Sequence, residues 1–198
     1  QVMMSNLKDF EVTQDESLAD VVVINSCTVT NSADSTARGY INGLKKLPKD
    51  PRVVFTGCGV WTKGEALFKE DKVDSLFGHS EKEKINELLL NESRFFQAGD
   101  LTHIDETIVE EFVGKSRAFI KIQEGCDFRC SYCIIPYVRG DARSYSEDKI
   151  LEQVTTLAAN GFGEFILTGS ASLQGFKEIS DSLAGRIGIV ELYPFSLK

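Results

Sequence analysis

Residues Ala19–Asn25 read ADVVVIN, and Arg52–Gly57 read RVVFTG. Each is a short continuous apolar run dominated by β-branched residues. That pattern belongs to a strand buried on both faces, since a half-exposed strand alternates apolar and polar positions. Between the two runs, Ser32–Leu47 (SADSTARGYINGLKKL) carries apolar residues at helical spacing, with Pro48 just past its end. Farther out, KGEALFKE (Lys63–Glu70) predicts a short helix and VDSLFG (Val73–Gly78) a third strand. SEKEKINELLL (Ser80–Leu90) predicts a helix opened by Ser80, with Glu83 three residues on as the reciprocal partner of a capping box. Strand and helix alternating at this spacing predict a doubly wound parallel α/β sheet.

The pattern weakens from Asn91 to Ser116, which reads as a linker carrying an edge strand or hairpin. RAFIKIQ (Arg117–Gln123) then alternates as a strand, and SEDKILEQVTTLAANG (Ser146–Gly161) is an amphipathic helix with a capping Ser and a terminal Gly. GEFILTG (Gly163–Gly169) predicts a buried strand, Ser172–Gly185 a helix and Arg186–Leu192 a strand. This second series is the beginning of a β/α barrel. A closed eight-unit barrel takes about 250 residues, so the barrel expected here is partial.

Composition limits the functional classes. The chain has 198 residues, 42% hydrophobic and 26% charged, ordinary values for a globular protein. Its longest apolar runs, VVVI and ELLL, fall far short of a membrane span, and no secretory signal opens it. A cytoplasmic protein without membrane association is expected. Net charge is −8, which argues against non-specific nucleic-acid binding by this segment alone but leaves a local basic patch possible. The start QVMMSNL has no initiator Met, so the chain is read as beginning inside a longer protein. Five cysteines is an odd number, and in a reducing compartment clustered thiols bind metal more often than they pair.

Three of those cysteines lie within EGCDFRCSYCIIP (Glu124–Pro136), where Cys126, Cys130 and Cys133 form C-x3-C-x2-C. Thiolates are soft ligands suited to zinc or iron–sulfur clusters. Structural zinc takes four protein ligands, and no fourth Cys or His lies nearby in sequence. Three thiolates around a four-iron cluster would leave one iron open to a substrate or cofactor. A zinc site completed from elsewhere, or three buried thiols, remains the alternative on spacing alone. Cys27 and Cys58 each follow the carboxyl end of a predicted strand, where open α/β sheets bind ligands. The plain alternative for that pair is two small buried hydrophobes.

C-x3-C-x2-C with Tyr132 before the last cysteine resembles the signature of radical S-adenosylmethionine enzymes. GCDFRCSYCIIPYVRGDARS (Gly125–Ser144) resembles the methylthiotransferase family within that group. INSCTVTNSAD (Ile24–Asp34) and TGC (Thr56–Cys58) are similar to the cysteine motifs of that family's amino-terminal domain. CTVTN together with RGDARS is most like the MtaB-type branch, which modifies threonylcarbamoyladenosine in tRNA.

The resemblance implies an enzyme with two 4Fe–4S clusters. One, on Cys126, Cys130 and Cys133, binds S-adenosylmethionine at its open iron and yields a 5′-deoxyadenosyl radical that abstracts hydrogen from C2 of the target adenine. The auxiliary cluster, on Cys27, Cys58 and a third cysteine expected before Gln1, carries the sulfur to be inserted, and a second S-adenosylmethionine supplies the methyl. Cofactor-binding roles are expected for Tyr132 against the adenine, for Arg139 and Arg143 on a carboxylate or an RNA phosphate, and for Thr168 and Gly169 through their backbone. Asn25 is expected to orient the first auxiliary loop, and no catalytic residue beyond these is assigned. His79 and His103 read as surface residues without a role.

The implied partners are the tRNA anticodon loop and an electron donor such as flavodoxin or ferredoxin. The expected organisation is a Rossmann-like amino-terminal domain over 1–91 lacking its first strand, a linker over 92–116, and an incomplete radical-enzyme barrel over 117–198. The sequence departs from the family after Ile166-Leu167-Thr168-Gly169, where SASLQG replaces an Asn-containing loop, and in the short, irregular stretch ending RIGIVELYPFSLK. The family's small carboxyl-terminal RNA-binding domain is absent from these residues and is expected to supply much of the tRNA affinity. A ribosomal-protein methylthiotransferase and a non-catalytic zinc or iron–sulfur scaffold are the rival readings.

Overall fold

β1 (Val21–Ser26), β2 (Arg52–Gly57), β3 (Ser75–Phe77) and β4 (Phe96–Gln97) pair in parallel, in the order β1-β2-β3-β4. The computed structural model describes residues 1–112 and 114–162. Residues Gln1–Phe162 cluster as one compact unit. β2 lies inside the sheet, and every residue from Val53 to Gly57 is buried, as its unbroken apolar pattern requires. The two faces of the sheet have separate cores. Ile24, Val53, Phe55 and Leu76 pack with Ile41 and Leu44 of α2 (Asn31–Leu44) and Leu67 of α3 (Glu65–Lys69). Val54 and Phe77 pack with Ile85 and Leu89 of α4 (Ile85–Leu90), and Met3 of the short α1 (Val2–Ser5) joins them. Helices thus cover both faces. Strand order follows chain order, so no reversal of the kind that defines a doubly wound sheet occurs among the described strands.

α2 starts where its apolar spacing starts. Thr30, in extended conformation, accepts the Ala33 N–H on its hydroxyl at 3.2 Å and satisfies one donor of the first turn. The helix ends at Leu44, three residues before the predicted limit.

The capping box predicted at Ser80 does not form. Ser80 Oγ donates to Glu81 Oε1 at 2.9 Å and accepts the Asp100 N–H at 2.8 Å, while Glu83 Oε1 accepts the Glu106 N–H at 3.0 Å. Both side chains are drawn to the segment after β4. The chain therefore winds first as a 3-10 helix (His79–Lys84) and only then as α4.

Glu81 is central to this tie. It is buried and accepts from Ser80, from Lys84 Nζ at 3.0 Å and from Gln97 Nε2 of β4 at 2.6 Å. Burial alone would raise its pKa; the bonds from Lys84 and Ser80 outweigh burial and lower it. The folded carboxylate thus holds its proton less tightly than the unfolded one. Its contribution is present above the ordinary pKa of 4.5 and is lost as pH falls through the lowered folded value. Glu81→Gln should cost about 1–3 kcal/mol at neutral pH by leaving charge-assisted donors poorly paired. Urea denaturation at pH 7 and at pH 3 should show the difference between variant and parent shrinking at the lower pH.

The expected strand Arg117–Gln123 is corrected. Only β5 (Gln123–Glu124) forms, antiparallel to β6 (Arg143–Ser144). A strand persists where it finds a ladder partner; Ile122 O still accepts the Tyr145 N–H at 3.0 Å, but Arg117–Lys121 pairs with no strand among the described residues, and Phe119 is 80% exposed. Its expected barrel neighbour, Gly163–Gly169, lies outside the described residues, as do the helix and strand predicted beyond it. α5 (Ile135–Arg139) follows the cysteine loop, and α6 (Glu147–Ala159) begins at Ser146, whose hydroxyl accepts the Lys149 N–H as predicted. No described helix is long and apolar enough to cross a membrane.

Candidate metal centres at two cysteine loops

The parallel register sets Ser26 opposite Gly57, so Cys27 and Cys58 are the next residues on adjacent strands. The Cys58 N–H donates to Ser26 O at 3.1 Å, which continues the ladder one residue past the sheet. Cys58 is 1% exposed and Cys27 is exposed. Gly57 makes this close approach possible. Its φ is +95°, and a Cβ there would lie 2.2 Å from Ser26 O. Ser26 Oγ completes the turn by donating to Thr56 O at 2.8 Å and accepting the Gly59 N–H at 3.1 Å. Ser26→Ala should cost about 1–3 kcal/mol, because it strands a buried N–H. Thermal unfolding should show a lowered Tm with unchanged secondary structure.

Immediately after Cys58 the chain makes a π-helical turn (Val60–Gly64), against which α5 packs. That packing brings Arg139 Nε to 3.4 Å from Cys58 Sγ. His79 Nε2 lies at the same distance from the same sulfur. The sequence expectation of His79 as a role-free surface residue is thus corrected: it is part-buried and in contact with Cys58. A Cys and a His 21 residues apart carry no local spacing signal; the parallel sheet brings β2 and β3 side by side and places both at their carboxyl ends. His103 is exposed, as expected, and faces Glu83 Oε1 at 3.2 Å.

The surroundings of Cys58 are basic. Burial, followed by the charges of Lys82, Arg139, Lys121 and Arg143, lowers the His79 pKa to about 3, so its ring is neutral at neutral pH. Burial and then the Lys121 charge lower Lys82 to about 8. Burial opposes the Arg139 charge, but its bond to Cys58 and the neighbouring Cys58, Glu124 and Cys27 raise its pKa. Asn25 Oδ1 accepts Lys82 Nζ at 3.2 Å, linking the end of β1 to this group of cations.

The second loop has a parallel construction. Gly125 has φ +76°, and a Cβ there would lie 2.0 Å from Asp141 O. The Cys126 N–H donates to Gly140 O at 3.1 Å, Asp127 Oδ1 accepts the Ala142 N–H at 2.8 Å, and the Cys133 N–H closes a turn on Cys130 O at 3.0 Å. The loop is therefore tied at its start to the Gly140–Ala142 segment and closed at its end by a local turn, with Cys126 and Cys133 half-buried and Cys130 exposed. Among the described residues no three His, Cys, Asp or Glu side chains converge in a metal-ligating arrangement. Loop placement is what the structure supplies; Tyr132, 91% exposed, packs on nothing described. Arg143 donates through Nη1 to Arg139 O at 2.9 Å and to Asp141 O at 2.8 Å, while its buried Nε has no partner among the described residues. Thr168 and Gly169 lie outside the described residues.

The donor sets suit iron–sulfur clusters. All five thiols are free, thiolates are soft ligands, and a buried sulfur met by a half-buried guanidinium, with Lys82 nearby, suits a negatively charged group. Thr28, next to Cys27, has a buried hydroxyl with no partner among the described residues, which leaves a further donor at the first loop.

Two family models match in succession: the description "Uncharacterized protein family UPF0004" over residues 1–78 and "Radical SAM superfamily" over residues 120–186. A Helicobacter pylori protein named "Putative methylthiotransferase" is 57% identical over 172 residues, covering 86% of this chain and 41% of its own length. The chain belongs to the radical SAM methylthiotransferase family. Members of this family use S-adenosylmethionine and two 4Fe–4S clusters.

The Rickettsia prowazekii threonylcarbamoyladenosine tRNA methylthiotransferase MtaB is 37% identical over 155 residues, 77% of this chain and 37% of its own length. The Sulfurimonas denitrificans ribosomal protein uS12 methylthiotransferase RimO is 34% identical over 198 residues, 97% of this chain and 44% of its own. The chain spans about two fifths of the length of these curated relatives.

Proposed function

We propose that this chain is part of an enzyme that adds a methylthio group at C2 of N6-threonylcarbamoyladenosine next to the anticodon of tRNA. The proposed organisation is an amino-terminal domain over 1–91, a linker over 92–116 and a radical-enzyme barrel starting at 117. Cys126, Cys130 and Cys133 hold the cluster that binds S-adenosylmethionine; Cys27 and Cys58 hold two corners of the auxiliary cluster. One observation carries this reading: Cys27 and Cys58 leave adjacent parallel strands together, and α5, directly after the C-x3-C-x2-C loop, returns to Cys58. When bound, the clusters supply the electron that cleaves S-adenosylmethionine and the sulfur that is inserted. The protein's own residues set the loops that present the thiols and surround Cys58 with donors.

The tRNA substrate is supported by the CTVTN and RGDARS motifs and by relatives named as MtaB in Rickettsia prowazekii and Aquifex aeolicus. An electron donor of the flavodoxin or ferredoxin type and a cytoplasmic setting complete the proposal. Anaerobic reconstitution of the full-length protein with iron and sulfide tests its catalytic part. A brown protein that reductively cleaves S-adenosylmethionine is expected; stoichiometric zinc without cleavage would make it a scaffold.

A further inference from the structure

We propose that Arg139 is a positioning residue for the Cys58 sulfur and that the Arg139-Gly140 pair mechanically joins the two cysteine loops. This rests on the reading of Cys58 as an auxiliary-cluster ligand. The side chain of Arg139 donates to Cys58 Sγ at 3.4 Å, while the next carbonyl, Gly140 O, accepts the Cys126 N–H at 3.1 Å. Two consecutive residues thus touch the side chain of one candidate ligand and the backbone of another, although 68 positions separate those cysteines in the sequence.

The direction of the Arg139 contact is unambiguous. A guanidinium has donors and no acceptor, so the sulfur accepts. Its backbone is fixed as well, because Arg139 O accepts Arg143 Nη1 at 2.9 Å, and Gly140 turns the chain at φ +75° with no space for a Cβ, which would lie 2.6 Å from Leu101 O. Glu124 Oε2, 3.8 Å from Arg143 Nη2, anchors the same group to β5.

An N–H donated to a metal-bound thiolate withdraws electron density from it. Hydrogen bonds to cluster sulfurs and the charge around them set reduction potential. Removing the bond should therefore make the auxiliary cluster harder to reduce. The guanidinium also supplies a positive charge, which a lysine would retain without the planar fork.

The test uses the full-length protein with Cys126, Cys130 and Cys133 all changed to Ala, so that only the auxiliary cluster loads. Redox titration followed by electron paramagnetic resonance should give a more negative midpoint for Arg139→Gln than for the parent, with Arg139→Lys between them. Iron content should be the same in all three. An unchanged midpoint in Arg139→Gln would overturn the proposal. Should Arg139→Gln fail to fold, Arg139→Lys decides by the same titration: a negative shift supports the proposal and an unchanged midpoint overturns it. Cys58→Ala in the same background separates the two levels. Loss of the cluster upholds the ligand reading whatever Arg139 does, and full iron retention would remove the ligand reading and this proposal with it.

Discussion

Cys130→Ala in the full-length protein is expected to lower reductive cleavage of S-adenosylmethionine by more than about 100-fold. Altering a residue that merely supports a metal ligand already costs about 10–100-fold, and on the proposed assignment this change removes one ligand from a set of three. Cys130 is exposed and its backbone only closes a local turn on Cys133, so the fold should survive. Circular dichroism should match the parent while cleavage, measured as 5′-deoxyadenosine under dithionite, disappears. Cys27→Ala should behave oppositely. Cys27 is exposed at the other loop, so its loss should leave cleavage near parental levels and stop sulfur insertion. Loss of cleavage in Cys27→Ala with the Cys126–Cys133 cluster intact would contradict the assignment of separate work to the two loops.

The largest structural effect is expected at Gly57. Gly57→Ala puts a Cβ 2.2 Å from Ser26 O and 2.8 Å from Asn25 Oδ1, at a backbone φ of +95°. Ser26 O is a backbone atom held to this strand by the Cys58 N–H at 3.1 Å, so it cannot withdraw from the added Cβ without losing that bond. The left-handed conformation costs an L-residue about 1–2 kcal/mol, and overpacking adds about 1–3 kcal/mol. The sum, about 2–5 kcal/mol, is a large part of a domain stability of about 5–15 kcal/mol. Gly39, in α2, serves as control: a Cβ there meets nothing within 4 Å. Gly39→Ala should therefore stabilise by about 0.5–1 kcal/mol through helix propensity. Urea denaturation of both variants, side by side, measures the contrast, and equal midpoints would show that the Gly57 turn is not under steric constraint.

Much of the amino-terminal sheet was legible because its strands are self-declaring. A run such as Arg52–Gly57 has no polar face to hide, and the observed β2 has the same limits as the predicted strand. Arg117–Gln123 shows the opposite case. Its alternation is strand-like, yet a strand also needs a partner, and pairing is supplied by residues distant in sequence. The Ser80 box failed for a similar reason. Ser80 and Glu83 have the right spacing, but the backbone N–H groups of Asp100 and Glu106 compete for them once the chain folds back.

The cysteine positions were readable from spacing and from their place after strands. What surrounds them was not. His79 and Arg139 meet at Cys58 from the 3-10 helix after β3 and from α5, neither near it in sequence, and only the folded chain shows that they share one sulfur. A clue was present in retrospect: Gly precedes both Cys58 and Cys126, and each glycine has the positive φ that lets a neighbouring strand or loop approach the cysteine closely.

The account turns on one chemical outcome. Mass spectrometry of tRNA nucleosides should be run on a strain lacking the gene and on the same strain complemented with parent, Cys58→Ala or Cys130→Ala. The predicted result is loss of 2-methylthio-threonylcarbamoyladenosine, with its unmethylthiolated precursor accumulating, and restoration by the parent alone. Normal levels of the modified nucleoside in the deletion strain, with the methylthio group missing instead from ribosomal protein uS12, would contradict it.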